Sequence, residues 1–131
     1  MTARPAAVTA AEFDAWLRGY RRAWEGRDPA AAALLFTEDS EYYWTPLDPP
    51  QRGRAGVAAA WDGAVSQQRD IRFTFEILAV TGDKGIAAWR ADFTRLPAGT
   101  AVRIEGVLTA DFAEPGQCRI FREWWHSAET A

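Results

Sequence analysis

After Asp70 the hydrophobic period of this chain changes from 3.6 to 2 and does not change back. Ile71, Phe73, Phe75 and Ile77 alternate with Arg72, Thr74 and Glu76, the pattern of a half-buried strand. Three more long runs of β-formers follow, each after a turn signal: Gly82-Asp-Lys-Gly85, Pro97-Ala-Gly-Thr100 and Glu114-Pro-Gly116. Connections this short pair successive strands as an antiparallel meander. Upstream the chain reads mainly as helix. Helices first and strands afterwards predict an α+β domain, with three N-terminal helices on one face of a strongly curved antiparallel sheet. Strands of roughly 10 to 13 residues are long for so small a domain. To cover short helices they must bend, and a bent sheet closed by helices makes a cone with an internal pocket.

The helical half is well punctuated. Residues 1–8 form a Pro/Ala-rich tail, expected to be poorly ordered. Thr9-Ala-Ala-Glu12 reads as a capping box. Phe13, Trp16, Leu17, Tyr20, Ala23 and Trp24 then recur at helical spacing up to Gly26. Asp28-Pro29 opens a second helix, predicted to run to Phe36. Glu38-Asp39-Ser40 breaks it, and Glu41 to Trp44 read as a short strand. The proline-rich stretch Thr45 to Gly53 cannot enter a sheet interior. A third helix is predicted from Ala55 to Gln68, with Val57, Trp61, Ala64 and Val65 on one face. The 131 residues make one domain, expected over 9–127.

The last strand, Gly116 to His126, carries apolar bulk on both faces. Strict alternation sends Cys118, Ile120, Arg122, Trp124 and His126 one way, and Arg119, Phe121, Glu123 and Trp125 the other. One face is expected to meet the helices and the other a partner subunit.

Composition excludes several functions. Net charge is −3 with both signs interspersed, so there is no basic stripe for nucleic acid. No long apolar run or leader signal is present, so neither a membrane role nor export is expected, and the location expected is cytoplasmic. A single Cys and a single His allow no internal disulfide and no His/Cys metal site. Cys118 reads as a buried structural thiol. No metal and no cofactor is expected. The seven Trp residues are either core or the walls of an aromatic pocket.

Several motifs carry a family likeness: Gly26-Arg-Asp28, Leu35-Phe36-Thr-Glu-Asp39, Pro46, Gly53-Arg-Ala-Gly-Val57, and the closing Gly116 to His126. In this order they resemble the nuclear transport factor 2-like superfamily, in its SnoaL-like, ketosteroid-isomerase-like branch. The resemblance runs from about Thr9 to His126. It implies a cone-shaped, cystatin-like fold and a pocket for a small molecule. It does not imply one chemistry, because such a fold hosts many functions.

Carried over residue by residue, the isomerase pattern mostly fails. Tyr20 lies eight residues before Asp28, the spacing of a Tyr that donates to a developing oxyanion in ketosteroid isomerases. Where those enzymes place a catalytic Asp, this chain has Thr45 or Trp44. Where they place a protonated Asp, it has Leu108. His126 replaces the Asp of the Tyr-Trp-Asp ending of SnoaL-like proteins, and one His cannot supply the paired-His site of the dehydratase branch. The chain is therefore not expected to be a ketosteroid isomerase.

The resemblance also sets strand parity. It places Ala88, Arg90 and Asp92 inward on one strand, Ile104, Gly106, Leu108, Ala110 and Phe112 inward on the next, and Phe121, Glu123 and Trp125 inward on the last. The opposite parity of the first strand, with Trp89 and Phe93 inward, would leave Arg90 and Asp92 as an outer ion pair. Tyr20, Asp92 and Glu123 are the candidate catalytic groups, since a carboxyl raised in pKa by apolar walls can serve as general acid or base. Trp24, Trp44, Trp61, Arg90, Leu108, Trp125 and His126 are the candidate ligand contacts. Each has a structural alternative: Tyr20 as a core tyrosine, the carboxylates as a network that only closes the pocket, His126 as an exposed terminal residue.

Three functions fit. One is cofactor-free acid/base chemistry of isomerase, cyclase or dehydratase type on a small apolar, ring-bearing or polyketide-like compound. Another is a binding or sensing module. The third is a homodimeric assembly subunit whose pocket is filled by its own Trp side chains. A homodimer packed through the outer sheet face is expected in each case.

Overall fold

Thr9 caps the first helix, α1 (Ala10–Glu25), as a full capping box. Its hydroxyl accepts from the Glu12 N–H at 3.1 Å, and the Glu12 carboxylate accepts from the Thr9 N–H at 2.9 Å. The structure, a computed structural model, describes residues 7–130. The expected tail falls mostly on residues 1–6, outside that range. Val8 is buried, and its N–H donates to the Gly82 carbonyl. The buried face of α1 is Phe13, Trp16, Leu17, Tyr20, Ala23 and Trp24.

Asp28 caps α2 (Pro29–Ala33), and its carboxylate accepts from the Ala31 N–H. This helix is shorter than the sequence predicts. Phe36 is not its end but the start of β1 (Phe36–Tyr43), which runs through the polar Glu38-Asp39-Ser40. Tertiary pairing overrides the local signal there, since β1 lies against the last strand. A short β2 (Gln51–Arg52) pairs with β1 and leads into α3 (Gly53–Val65). Gly53 makes that turn at φ +69, where an added Cβ would sit 2.8 Å from the Glu38 carbonyl oxygen. Arg54 then ties the corner, donating to the Phe36 carbonyl and the Gln117 side chain.

Four long strands follow: β3 (Gln68–Thr81), β4 (Lys84–Arg95), β5 (Thr100–Glu114) and β6 (Gln117–Thr130). The sheet has six strands in the order β2-β1-β6-β5-β4-β3. The β3–β6 meander is antiparallel as expected, and β1 joins β6 in parallel, so the sheet is mixed and not closed. Register shifts in β3, near Asp70 and Leu78, mark bulges, which bend a strand. The result is the helix-covered α+β cone.

Parity on β4 is the reverse of the inward set expected from the resemblance. Ala87, Trp89, Ala91 and Phe93 are buried, while Arg90 and Asp92 face outward and are about 40% exposed. Two large aromatics gain far more from leaving water than an ion pair does. On β6 the strict alternation also breaks. Asp111 pairs with Ile120 but Phe112 pairs with Cys118, so one residue is extra at Arg119. Cys118 and Phe121 are therefore both buried. An aromatic core fills the space under α1, where Trp16 meets Phe36 and Phe112 edge-on.

Candidate functional site

Between the helices and the inner face of the sheet lies a cavity of about 310 Å³. α1 contributes Trp24 and Tyr20, and α3 contributes Trp61. From β4 come Trp89 and Phe93, from β5 Ile104, and from β6 Glu123 and Trp125. Its walls are indole, phenyl and aliphatic groups, as small-molecule pockets usually are.

Part of the wall polarity is satisfied within the protein, while the buried Trp61 and Trp89 indole N–H groups have no partner among the described residues. The Trp24 indole N–H donates to Gln68 Oε1 at 2.8 Å. The Trp125 N–H donates to the Trp44 carbonyl at 2.8 Å, bringing the two aromatics together at the edge of the cavity. Gly106 permits this placement. It pairs with Trp125, and a Cβ there would lie 2.1 Å from the Trp124 carbonyl oxygen and 2.8 Å from the Trp125 Cβ.

Beside Gln67, Gln68 and Arg95, Glu123 is the one carboxyl among the described lining residues. It is only 3% exposed. Its Oε1 accepts from the Tyr20 hydroxyl at 3.0 Å, and Tyr20 Oη lies 2.8 Å from Tyr42 Oη. No other hydrogen bond reaches the carboxyl, so Oε2 has no partner among the described residues. Burial pushes the Glu123 carboxyl up to about 8, against the smaller opposing pull of the Tyr20 hydrogen bond. At neutral pH it is therefore mainly the neutral acid. Burial likewise raises the Tyr20 and Tyr42 hydroxyls well above the usual phenol range, and the nearby Glu123 charge raises them further.

The sequence model of the SnoaL-like domain matches residues 17–122. This chain belongs to the SnoaL-like domain family. Solved structures with the same SnoaL-like cone include a Δ5-3-ketosteroid isomerase from Mycobacterium sp., at 20% identity and TM-score 0.77, covering 91% of this chain and 98% of that one. SalBIII, an epoxide hydrolase/cyclase-like enzyme of pyran ring formation in the polyether salinomycin, is 20% identical at TM-score 0.77, over 88% and 92% of the two chains. A computationally designed 17-OHP binder is 16% identical at TM-score 0.77, over 89% and 96%. At these identities the likeness is one of fold. No curated protein matches the sequence.

The SnoaL-like cone brings together only part of the residue set singled out from sequence. Tyr20, Glu123, Trp24, Trp44, Trp61 and Trp125 all line the cavity. Asp92 and Arg90 do not. They sit on the outer face, where Asp92 takes Arg103 at 2.9 Å and Arg90 at 3.4 Å. The Arg103 hydrogen bond, with help from Arg90, holds the Asp92 carboxyl below its usual range. Leu108 points inward but is fully buried in core packing, away from the cavity wall. His126 is exposed, opposite Glu105 on the outer face of β5–β6.

Tyr42, Trp89 and Phe93 stand outside the candidate set drawn from sequence, in which Trp89 and Phe93 inward is the alternative parity. For Trp89 and Phe93 the signal was present in the alternation Trp89-Ala91-Phe93 against Arg90-Asp92. For Tyr42 the aromatic strand Tyr42-Tyr43-Trp44 is visible, but which of its faces is buried depends on the β1–β6 register. Among the described residues, no group of three or more His, Cys, Asp or Glu is arranged to hold a metal ion, and no helix is long and apolar enough to cross a membrane.

Proposed function

We propose that this SnoaL-like protein binds a small, mostly apolar ring compound and transfers a proton to it from Glu123, without a cofactor. The observation that carries the reading is a buried carboxyl with one free oxygen on a mainly apolar wall. A neutral Glu123 donates its proton to a ligand oxygen, and the carboxylate left behind takes a proton back from the ligand. One group thus closes the proton balance of an isomerisation or a ring closure. That the fold is shared with an isomerase and a cyclase-like enzyme supports the class of chemistry. Asp92, on the outer face, has no part in it.

The acid form exists below about 8. Turnover should therefore fall as pH rises through that value. The test is a thermal-shift screen of ring-bearing carbonyl compounds and cyclic ethers, followed by turnover of each hit. Ligand at about 100 times its Kd raises stability by roughly 2.7 kcal/mol, which a melting curve resolves. Glu123→Gln should retain binding and lower turnover about 100-fold or more. Equal turnover in that variant would overturn the assignment.

A binding or sensing module is the second reading. It is favoured by the lack of a second carboxyl or imidazole among the cavity-lining residues, and by the designed binder on the same fold. A ligand that stabilises the protein, lies against Trp125 and is never turned over would establish it.

The outer sheet face also supports a homodimer. Val107 and Trp124 are paired across β5 and β6 and are 37% and 42% exposed. Trp89 and Phe93, which face the cavity, add nothing to this surface. Sedimentation at micromolar concentration should show a dimer that Trp124→Glu dissociates.

A further inference from the structure

The hydrogen-bond chain that ends on Glu123 has one consistent direction. Tyr20 and Tyr42 own one hydroxyl proton each. Tyr20 Oη touches both Tyr42 Oη and Glu123 Oε1. Suppose the chain ran from Glu123 outward. Glu123 would donate to Tyr20, Tyr20 to Tyr42, and the Tyr42 proton would be left over. Tyr42 is fully buried, and the polar group beyond it is the Trp61 indole N–H, which can only donate. That N–H has no acceptor at hydrogen-bonding geometry and, being a donor, cannot take the Tyr42 proton.

Run inward, the chain pairs both tyrosine protons and leaves over only the Glu123 proton, on a residue that lines the cavity. Tyr42 keeps its lone pairs toward Trp61 and donates to Tyr20. Tyr20 donates to Oε1. The Glu123 carboxyl is buried, bonds only Tyr20, and has no cation paired with it among the described residues. A buried carboxylate without a counter-charge is costly, so the group is neutral. Oε1 accepts from Tyr20 and is therefore the carbonyl oxygen of the acid, the better acceptor of the two, so the proton is not there. It is on Oε2, the oxygen with no protein partner.

We infer that Tyr42 and Tyr20 are positioning residues that fix the Glu123 proton on Oε2, so that the cavity selects a ligand whose oxygen at that point is a pure acceptor: a ketone, quinone or cyclic ether rather than an alcohol or amine. The surrounding walls explain the discrimination. Trp61, Trp89, Phe93, Ile104 and Trp125 carry no side-chain acceptor, the Gln68 carbonyl oxygen is taken by Trp24, and the Gln67 amide adjoins Gln68 at the Arg95 end of β4, whereas Glu123 is level with Leu108 and Ala87. An alcohol bound there would leave its own hydroxyl hydrogen unpaired. This inference rests on the proposed function only in taking the cavity as the ligand site; it does not require turnover.

The probes are 9-fluorenone, 9-fluorenol and fluorene, titrated by tryptophan fluorescence and calorimetry at pH 6.5. Wild type should bind fluorenone about tenfold tighter than the other two, as one well-made hydrogen bond allows. Tyr42→Phe should reduce that preference several-fold while fluorene affinity stays the same; a merely structural role would weaken all three alike. Glu123→Leu should abolish the preference. A measurement without ligand guards against variants that fold poorly. The infrared carbonyl band of protonated Glu123, assigned by its loss in Glu123→Gln, should move to higher wavenumber in Tyr20→Phe, because Oε1 loses its donor. Failure of fluorenone to bind, a preference indifferent to Tyr42→Phe, or an unmoved band would each overturn the inference. Selective binding of fluorenone without turnover of any ketone would overturn the proton-transfer reading and leave this one standing.

Discussion

Asp92 and Glu123 are carboxyl groups on β4 and β6, two strands of one sheet, and they sit in opposite conditions. Asp92 faces out, about 40% exposed, between two arginines that favour its charge. Glu123 faces in, against indole rings, with only a tyrosine for company, and burial favours its proton. The difference is one of strand parity, not residue type. An outward carboxyl with cations is fixed as an anion and is of little use for proton transfer near neutral pH. An inward carboxyl without cations titrates near the pH at which a general acid works best.

The sharpest way to break this comparison is stability against pH. Glu123 holds its proton up to about 8 when folded and releases it near 4.5 when unfolded. Between these values the folded state binds more protons, so the stability Glu123 contributes is complete below about 4.5 and is lost as pH rises to about 8. The upper bound of that loss is roughly 5 kcal/mol. Urea denaturation of wild type and Glu123→Gln from pH 5 to 9 isolates it as the difference between the two curves. A difference that does not change with pH would place Glu123 in the same class as an exposed carboxylate.

Gly106 and Val107 are neighbours on opposite faces, and they give an intermediate effect. Gly106→Ala adds a methyl where the Trp124 carbonyl already lies, and should cost about 1–3 kcal/mol and loosen Trp125. Val107→Ala on the outer face should cost less than about 1 kcal/mol in the monomer. Denaturant midpoints check both, and Trp125 fluorescence reports the movement.

Asp92→Asn should have the smallest effect, below about 1 kcal/mol and screened by salt, because the pair is well exposed. Its sign is opposite to that of Glu123. The depressed folded pKa gives stability that is present above the unfolded value and lost as pH falls in acid. A loss of several kcal/mol would show that the outer ion pair is structural after all.

What was legible in the sequence was local. The Thr9 capping box, the Asp28-Pro29 start and the meander turns each depend on residues close in the chain, and they stand as read. The strand through Glu38 to Ser40 was hidden because its partner, β6, is some 80 residues away. The same long-range register decides that Tyr42 is buried, so the network behind Glu123 could not be read from the aromatic strand alone. The bulge at Arg119 defeated strict alternation on β6. Parity on β4 was different. The aromatic alternation Trp89 and Phe93 carried the answer, and the likeness to isomerases pointed the other way. Glu123 could be singled out because a lone acidic residue between Phe121 and Trp125 is conspicuous on an inward face.

The most direct test of the account is the titration of Glu123 itself, followed by the 13C side-chain carboxyl resonance of glutamate-labelled protein and assigned with Glu123→Gln. A midpoint near 8 is expected. A Glu123 midpoint near 4.5 would mean a carboxylate that is ionised and solvated at neutral pH, and would contradict both the acid assignment and the proton placed on Oε2.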